Sequence, residues 1–176
     1  MILTRAKIEQ EVQLGKIEIE PFDPANLGPN SYDVTINKEL LIYTVNNYSE
    51  FLDTKRDNKT DLLSIPESGH IFYPKTLYLA RTNERTFTKD FVPMLEGKSS
   101  LGRLGINIHA TAGFGDLGFN GFWTLEISVI HPVKIYPNMK IGQLYFMETS
   151  GDKTIQYKGK YQNNCGVQSS KSWMDS

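Results

Sequence analysis

The chain has 176 residues, 19 lysines and arginines against 20 aspartates and glutamates, and a single cysteine, Cys165. That length supports one domain with its own core. The near-cancelling charge excludes a global field drawing the chain onto nucleic acid or an anionic membrane, and the lone thiol excludes an intrachain disulfide or a cysteine-built zinc cage.

The first residues, MILTRAKIEQ, carry charges every few positions, and no apolar run reaches membrane-spanning length. A soluble, cytoplasmic protein without membrane or nucleic-acid partners is therefore expected. Thr4 is placed to cap a short helix over residues 5 to 14, with Ile8 and Val12 on one face and Gly15 as the stop. The period then changes to two. In SYDVTIN (31 to 37), Tyr32, Val34 and Ile36 share one face of a half-buried strand, and ELLIYT, HIFY and TLYLART repeat that character between Pro and Gly punctuation. Residues 46 to 62, NNYSEFLDTKRDNKTDL, are charged and aperiodic and read as a solvated loop without chemistry.

In WTLEISVI, Trp123, Leu125, Ile127 and Val129 alternate with Thr124, Glu126, Ser128 and Ile130, and KIGQLYFME supplies a further strand after the Pro137-Asn138 turn. Many short strands with a single helix predict an all-β barrel or jelly-roll-like sandwich. The polar tail from Gln156 to Ser176 is either disordered or closes over a ligand. Cys165 reads as an ordinary buried or half-buried thiol.

Chemistry concentrates between Glu96 and Val129. GKSSLGRLG (97 to 105) places backbone amides, the hydroxyls of Ser99 and Ser100, and the charges of Lys98 and Arg103 where they can converge on an anion such as a triphosphate. It lacks the spacing of a Walker loop, so a polar turn before a strand stays open. Asp116 lies in AGFGDLGF, a glycine-rich turn able to approach a flat ligand closely. Glu126 stands inside an apolar strand, where a carboxylate is costly without partners or a task. It is either a strand-edge residue facing water or a general base. His109 and His131 lie in no metal-ligand spacing and read as structural, and Trp123 reads as core.

EGKSSLGRLG, then TAGFGDLGF and WTLEI, resemble in order and spacing the dCTP deaminase branch of the dUTPase-like superfamily, which carries G-R-S-S-L-(A/G)-R-L-G, T-A-(H/G)-x-x-D-x-G and T/V-L-E segments. NSYDVTIN, KIGQLYF and YKGKYQNN resemble three further family elements, so the likeness covers nearly the whole chain. It implies one domain over residues 1 to 176, a distorted β-barrel assembled as a homotrimer with shared active sites, and a tail over residues 156 to 176 that closes over the nucleotide. It implies deamination of dCTP to dUTP and ammonia by water attack at C4 without zinc, Mg2+ arriving with the triphosphate, and dTTP as a feedback inhibitor. Glu126 would be the general acid/base, Ser99 and the carbonyl of Ala112 would place the water, and Arg103 would orient the site. Asp116 would bind the deoxyribose 3′-hydroxyl, and Thr124, Leu125 and Glu126 would read the pyrimidine edge. Lys98, Ser99, Ser100, Leu101, Gly102 and Arg103, with Gln143, Tyr157, Lys160 and Asn164, fall where the family holds phosphates or closes its tail.

Four departures from that pattern stand out, one of them a pair of residues. Lys98 stands for an arginine, Asn164 for a glutamine, Phe114-Gly115 for an Arg-Ile or Trp-Ile pair, and Gly113 for the histidine of strictly monofunctional deaminases. AGFGDLGF more closely resembles bifunctional members that continue to dUMP and pyrophosphate, with Asp116 and Glu126 helping to activate the second water. The alternatives are a plain dUTPase and a non-catalytic, nucleotide-binding regulatory trimer.

Overall fold

The computed structural model describes residues 1–45 and 51–175. Helix α1, Arg5–Gln13, begins after Thr4 and ends before Gly15, which takes a φ of +66°. Thr4 occupies the cap position, but its side chain makes no capping bond; its carbonyl accepts from the Ile8 amide at 2.9 Å. The strands follow as β1 (Glu18–Glu20), β2 (Tyr32–Tyr43), β3 (Thr60–Ser64), β4 (His70–Phe72), β5 (Tyr78–Phe87), β6 (Phe91–Gly97), β7 (Ile106–Asn107), β8 (Asn120–Val129), β9 (Val133–Ile135) and β10 (Lys140–Glu148). A one-turn helix α2, Ser99–Gly102, separates β6 from β7.

One antiparallel sheet runs β6-β10-β2-β5-β8-β7, with β1 added on β5 and β3 on β2, while β4 and β9 form a separate pair. The alternation read from the sequence decides which face is buried. Tyr32, Val34, Ile36 and Leu40 of β2 are inaccessible, and Trp123, Leu125, Ile127 and Val129 of β8 meet them in the same apolar cluster. Each such side chain contributes about 1.5–3 kcal/mol relative to exposure, which makes a one-residue slip of either strand prohibitive.

The two sheet edges are bridged by one segment. Its start pairs with β8, where Ile106 opposes Val129 and the Glu126 amide donates to the Ile108 carbonyl at 2.8 Å. Its end pairs with β6, where the Leu95 amide donates to Gly113 at 2.7 Å and the Gly115 amide to Pro93 at 2.9 Å. The sheet thereby becomes a nearly closed barrel, as the all-β reading predicts. Pro93 is tolerated in β6 because it lies at the rim of the ladder, where a missing N–H costs little.

Several expectations need correction. The stretch read as a loop over residues 46 to 62 contains the start of β3; its residues 46 to 50 lie outside the described residues. GKSSLGRLG holds a short helix where only a turn was expected, because Leu101, Gly102 and Arg103 donate back to Lys98 and Ser99. Cys165 is exposed instead of buried. The tail is laid against the barrel through Gln156 to Asp175, with only a terminal 3-10 turn of regular structure; Ser176 lies outside the described residues.

Candidate functional site

Residues 122, 124 and 126 of β8 share the face opposite the core, and all three line a cavity of about 500 Å³. Glu126 is half-buried there. Its Oε2 accepts from the Ala110 amide at 2.8 Å and from the Thr111 amide at 3.3 Å. Two fixed donors on one oxygen orient the carboxylate, while Oε1 has no protein hydrogen-bond partner among the described residues. A carboxylate pinned at one oxygen and free at the other, beside a cavity, is the geometry of a proton acceptor and donor.

Opposite Glu126 stands the turn Ala112 to Asp116, of which Ala112, Phe114, Gly115 and Asp116 line the cavity. The glycines are demanded by close packing. A Cβ on Gly113 would lie 2.8 Å from the Leu95 carbonyl, and one on Gly115 would lie 2.5 Å from Trp123 and 2.9 Å from the Pro93 carbonyl. The turn is thus pressed flat on β6 and Trp123, leaving Phe114 62% exposed at the rim. Trp123 is core, as read, with its indole N–H donating to Thr86 Oγ1 at 2.9 Å.

The tail closes the cavity. The Tyr157 amide donates to the Leu117 carbonyl at 2.7 Å, and the Asn163 amide to Asn120 at 2.7 Å. Asn164 grips the Phe122 backbone at both atoms, accepting from its N–H at 2.7 Å and donating to its carbonyl at 2.9 Å. The amide expected to meet the nucleotide is therefore occupied in fastening the tail. Farther on, the Ser170 amide donates to the Tyr43 hydroxyl at 2.9 Å, and the Ser172 hydroxyl to the Thr54 carbonyl at 2.8 Å. Lys160 is turned to Asp175 and lies outside the cavity lining.

Lys98, Ser99, Ser100, Leu101, Gly102, Arg103 and Gln143 also lie outside that lining. Arg103 donates to the Ser99 carbonyl at 2.9 Å and is exposed, instead of reaching Glu126 within the chain. Gln143 stands between Glu96 and Asp33 in the β6-β10-β2 ladder. Lys98 Nζ lies 2.5 Å from Asp33 Oδ1, and Lys140 Nζ 3.1 Å from Asp33 Oδ2. Burial alone would raise the Asp33 carboxyl, but the hydrogen bonds and charges of the two lysines outweigh it and hold the group below its ordinary value. The candidate residues thus form two groups on one chain. Ala112, Asp116, Thr124, Glu126, Tyr157 and Asn164 meet at the cavity, whereas the anion-holding set stands apart. Leu125 is fully buried and lies outside the cavity lining, between Thr124 and Glu126, which both belong to it.

Sequence reasoning missed several cavity residues. Leu52, Asp53, Thr54 and Asn58 line it, from the stretch over residues 46 to 62 that was assigned no chemistry, and Tyr43 joins them from the end of β2. It also missed the brace behind Phe122, whose ring lies 4.4 Å from the Arg81 guanidinium, itself paired with Glu39 at 2.7 Å. The available signal was Arg81 itself, a charge inside an apolar strand, the same anomaly that singled out Glu126.

Comparison with known proteins converges on one family. The sequence model of the dCTP deaminase-like family matches residues 2–149. A Clostridium beijerinckii protein named "dCTP deaminase, dUMP-forming" is 48% identical over 175 residues, covering 99% of this chain and 98% of that protein. Proteins of the same name from Clostridium botulinum and Leptospira biflexa are 52% identical over 159 residues and 48% over 177, covering 90% and 99% of this chain and 90% and 98% of their own lengths. The crystal structure of 2′-deoxycytidine 5′-triphosphate deaminase from Agrobacterium tumefaciens superimposes with a TM-score of 0.65 at 19% identity. It shares the fold over 84% of this chain, which spans 48% of that longer chain.

Proposed function

Because this chain belongs to the dCTP deaminase-like family, we propose that it converts dCTP to dUMP, ammonia and pyrophosphate in a bifunctional sequence. The observation that carries the reading is Glu126, held at one oxygen by the Ala110 and Thr111 amides and open at the other to a cavity shared with Ala112, Asp116 and Thr124. The names of the relatives, "dUMP-forming", and Gly113 in place of a histidine support the second step.

In the first step Glu126 Oε1 takes a proton from water as the oxygen bonds to C4 of cytosine. The proton is passed to N3, and the tetrahedral carbon expels ammonia as a second proton reaches the amino nitrogen. The Ala112 carbonyl, at the cavity wall, accepts a hydrogen bond from the attacking water. The Thr124 to Glu126 backbone meets the pyrimidine edge, and Asp116 accepts from the sugar 3′-hydroxyl. In the second step a water, activated with the help of Asp116 and Glu126, attacks the α-phosphorus and displaces pyrophosphate, giving dUMP. The substrate is magnesium-bound dCTP, its phosphate oxygens supplying the ion's ligands, and water activation falls to Glu126 without zinc.

The division of the site residues into two groups supports the homotrimer of the reading. Lys98 to Arg103 of one subunit would complete the cavity built around Glu126 of another, bringing Ser99 and Arg103 to the water and Lys98, Ser100 and Gln143 to the phosphates.

Incubation with dCTP and magnesium, followed by anion-exchange separation, tests the assignment. Appearance of dUMP without accumulating dUTP is expected, dUTP alone would remove the second step, and unchanged dCTP would refute the reading.

A further inference from the structure

One cation beside the anion-holding group has no role in the reaction as derived. Lys140 opens β10, where Gly142 opposes Val34 and Gln143 opposes Asp33. Continued without interruption, that register would set Lys140 opposite Ile36, whose side chain is fully buried. Directly opposed residues share a face of the sheet, so the ammonium would be driven toward the core. The ladder instead carries a bulge between Lys140 and Gly142 that sets Lys140 opposite Thr35. Bulges re-aim side chains at the expense of ladder bonds. Here the bulge turns the lysine to the outer face, onto Asp33.

The result is one carboxylate gripped by two ammonium groups, Lys98 on Oδ1 at 2.5 Å and Lys140 on Oδ2 at 3.1 Å. One lysine suffices to neutralise Asp33, and two leave an excess positive charge on side chains that are 24% and 44% exposed. The hydroxyls of Ser99 and Ser100 follow Lys98 directly in the chain. The other carboxylate of this row, Glu96, sits across β10 from Asp33, about 10 Å away by two strand spacings, with Gln143 between them. It faces His109 at 3.7 Å instead of either lysine.

Resting on the reading that the phosphates of dCTP meet the Lys98 to Arg103 segment, we propose that Lys140 is a second polyphosphate-binding cation. Asp33 is its placeholder: it positions both ammonium groups in the empty site and yields them to phosphate oxygens when the substrate enters. A lysine lacks the planar fork with which arginine grips an oxyanion at two points. Two lysines fixed around one carboxylate restore a two-point grip, which gives the departure at Lys98 a compensation elsewhere in the chain.

The test is calorimetric titration of the full-length protein with inorganic tripolyphosphate, which needs no turnover. Lys140→Gln is expected to weaken binding roughly tenfold, the worth of one charge-assisted contact. Lys140→Arg, which keeps the charge, should stay within about threefold of the wild type, and Lys134→Gln on β9 should bind unchanged. Asp33→Asn leaves two ammonium groups facing each other unneutralised, so tripolyphosphate should raise its Tm more than that of the wild type. Lys140→Gln binding within twofold of the wild type, or an equal loss in Lys134→Gln, would overturn the proposal. Failure of these titrations while the wild type still consumes dCTP condemns the two-lysine site alone. The expected titrations with dCTP left intact uphold the site and condemn the reading of the reaction.

Discussion

Replacing Glu126 by glutamine tests the proton carrier with little change of shape. In the wild type the Ala110 and Thr111 amides both point at Oε2, at 2.8 and 3.3 Å. A glutamine must turn its carbonyl oxygen toward those two donors, because an NH2 placed there would face two N–H groups and leave them unsatisfied. Its NH2 is thereby forced into the cavity, at the position of the oxygen that receives the proton. The variant loses the base while keeping the anchor. Loss of a positioned general base costs about 10²- to 10⁴-fold, or about 2.7–5.5 kcal/mol of transition-state stabilisation. Replacing a charge-assisted pair of bonds by neutral ones should cost the fold only about 1 kcal/mol. Single-turnover formation of dUTP and dUMP, measured beside thermal unfolding, separates the two effects. The expected result is at least ~10²-fold slower deamination with Tm nearly unchanged. Wild-type turnover in Glu126→Gln would refute the role, and a collapse of Tm matching the loss of activity would refute the geometry behind it.

Three further outcomes follow from other parts of the molecule. Asn164→Ala removes both bonds to the Phe122 backbone, so the tail should exchange amide hydrogens faster over residues 157 to 172 and KM for dCTP should rise about thirtyfold, as expected for two lost bonds of about 1 kcal/mol each. Gly113→His places a side chain against the Leu95 carbonyl, which a Cβ alone would approach to 2.8 Å; the turn must lift from β6, and the product ratio should move from dUMP toward dUTP by anion-exchange analysis. Burial, outweighing the hydrogen bonds from Thr35, raises the Glu84 carboxyl above its ordinary 4.5, so the folded state holds the proton more tightly than the unfolded chain. Its contribution to stability is therefore complete below pH 4.5 and is lost as the pH rises through the higher folded value. Relative to Glu84→Gln, the wild type should be more stable at acid pH than at about pH 8 in urea unfolding, and a pH-independent difference would contradict this.

The fold was legible wherever burial has a period. Tyr32, Val34 and Ile36 on β2, and Trp123 through Val129 on β8, alternate because one face of each strand is apolar and the other is not, and the structure buries those residues. What the alternation does not encode is interruption. The bulge that advances Lys140 by one position, the register shifts at Ile36 to Leu40 of β2 on β5 and at Arg81 to Arg85 of β5 on β8, and the one-turn helix at Ser99 each change where a side chain points without changing composition. Strand β6 escaped the sequence reading for a related reason: Pro93 and the glutamate-glycine end suggest a loop, and only its edge position makes the proline harmless.

The same distinction governs the site. Glu126, Asp116 and the glycine turn were legible because each violates its local context, a carboxylate in an apolar strand or glycines too dense for a strand. Their conformations became explicable only with the neighbours present: Gly113 and Gly115 are small because β6 and Trp123 leave no room for a Cβ. Asp33 and Lys140 violate nothing locally. Asp33 is an ordinary outward residue of an amphipathic strand, Lys140 an ordinary lysine after a turn, and the two stand 107 positions apart in the chain. Their meaning arises from a pairing register and one inserted residue, which are properties of β2 and β10 together. A charge that is anomalous in its own strand announces a site in the sequence, whereas a charge that becomes anomalous only through its partner's strand waits for the fold.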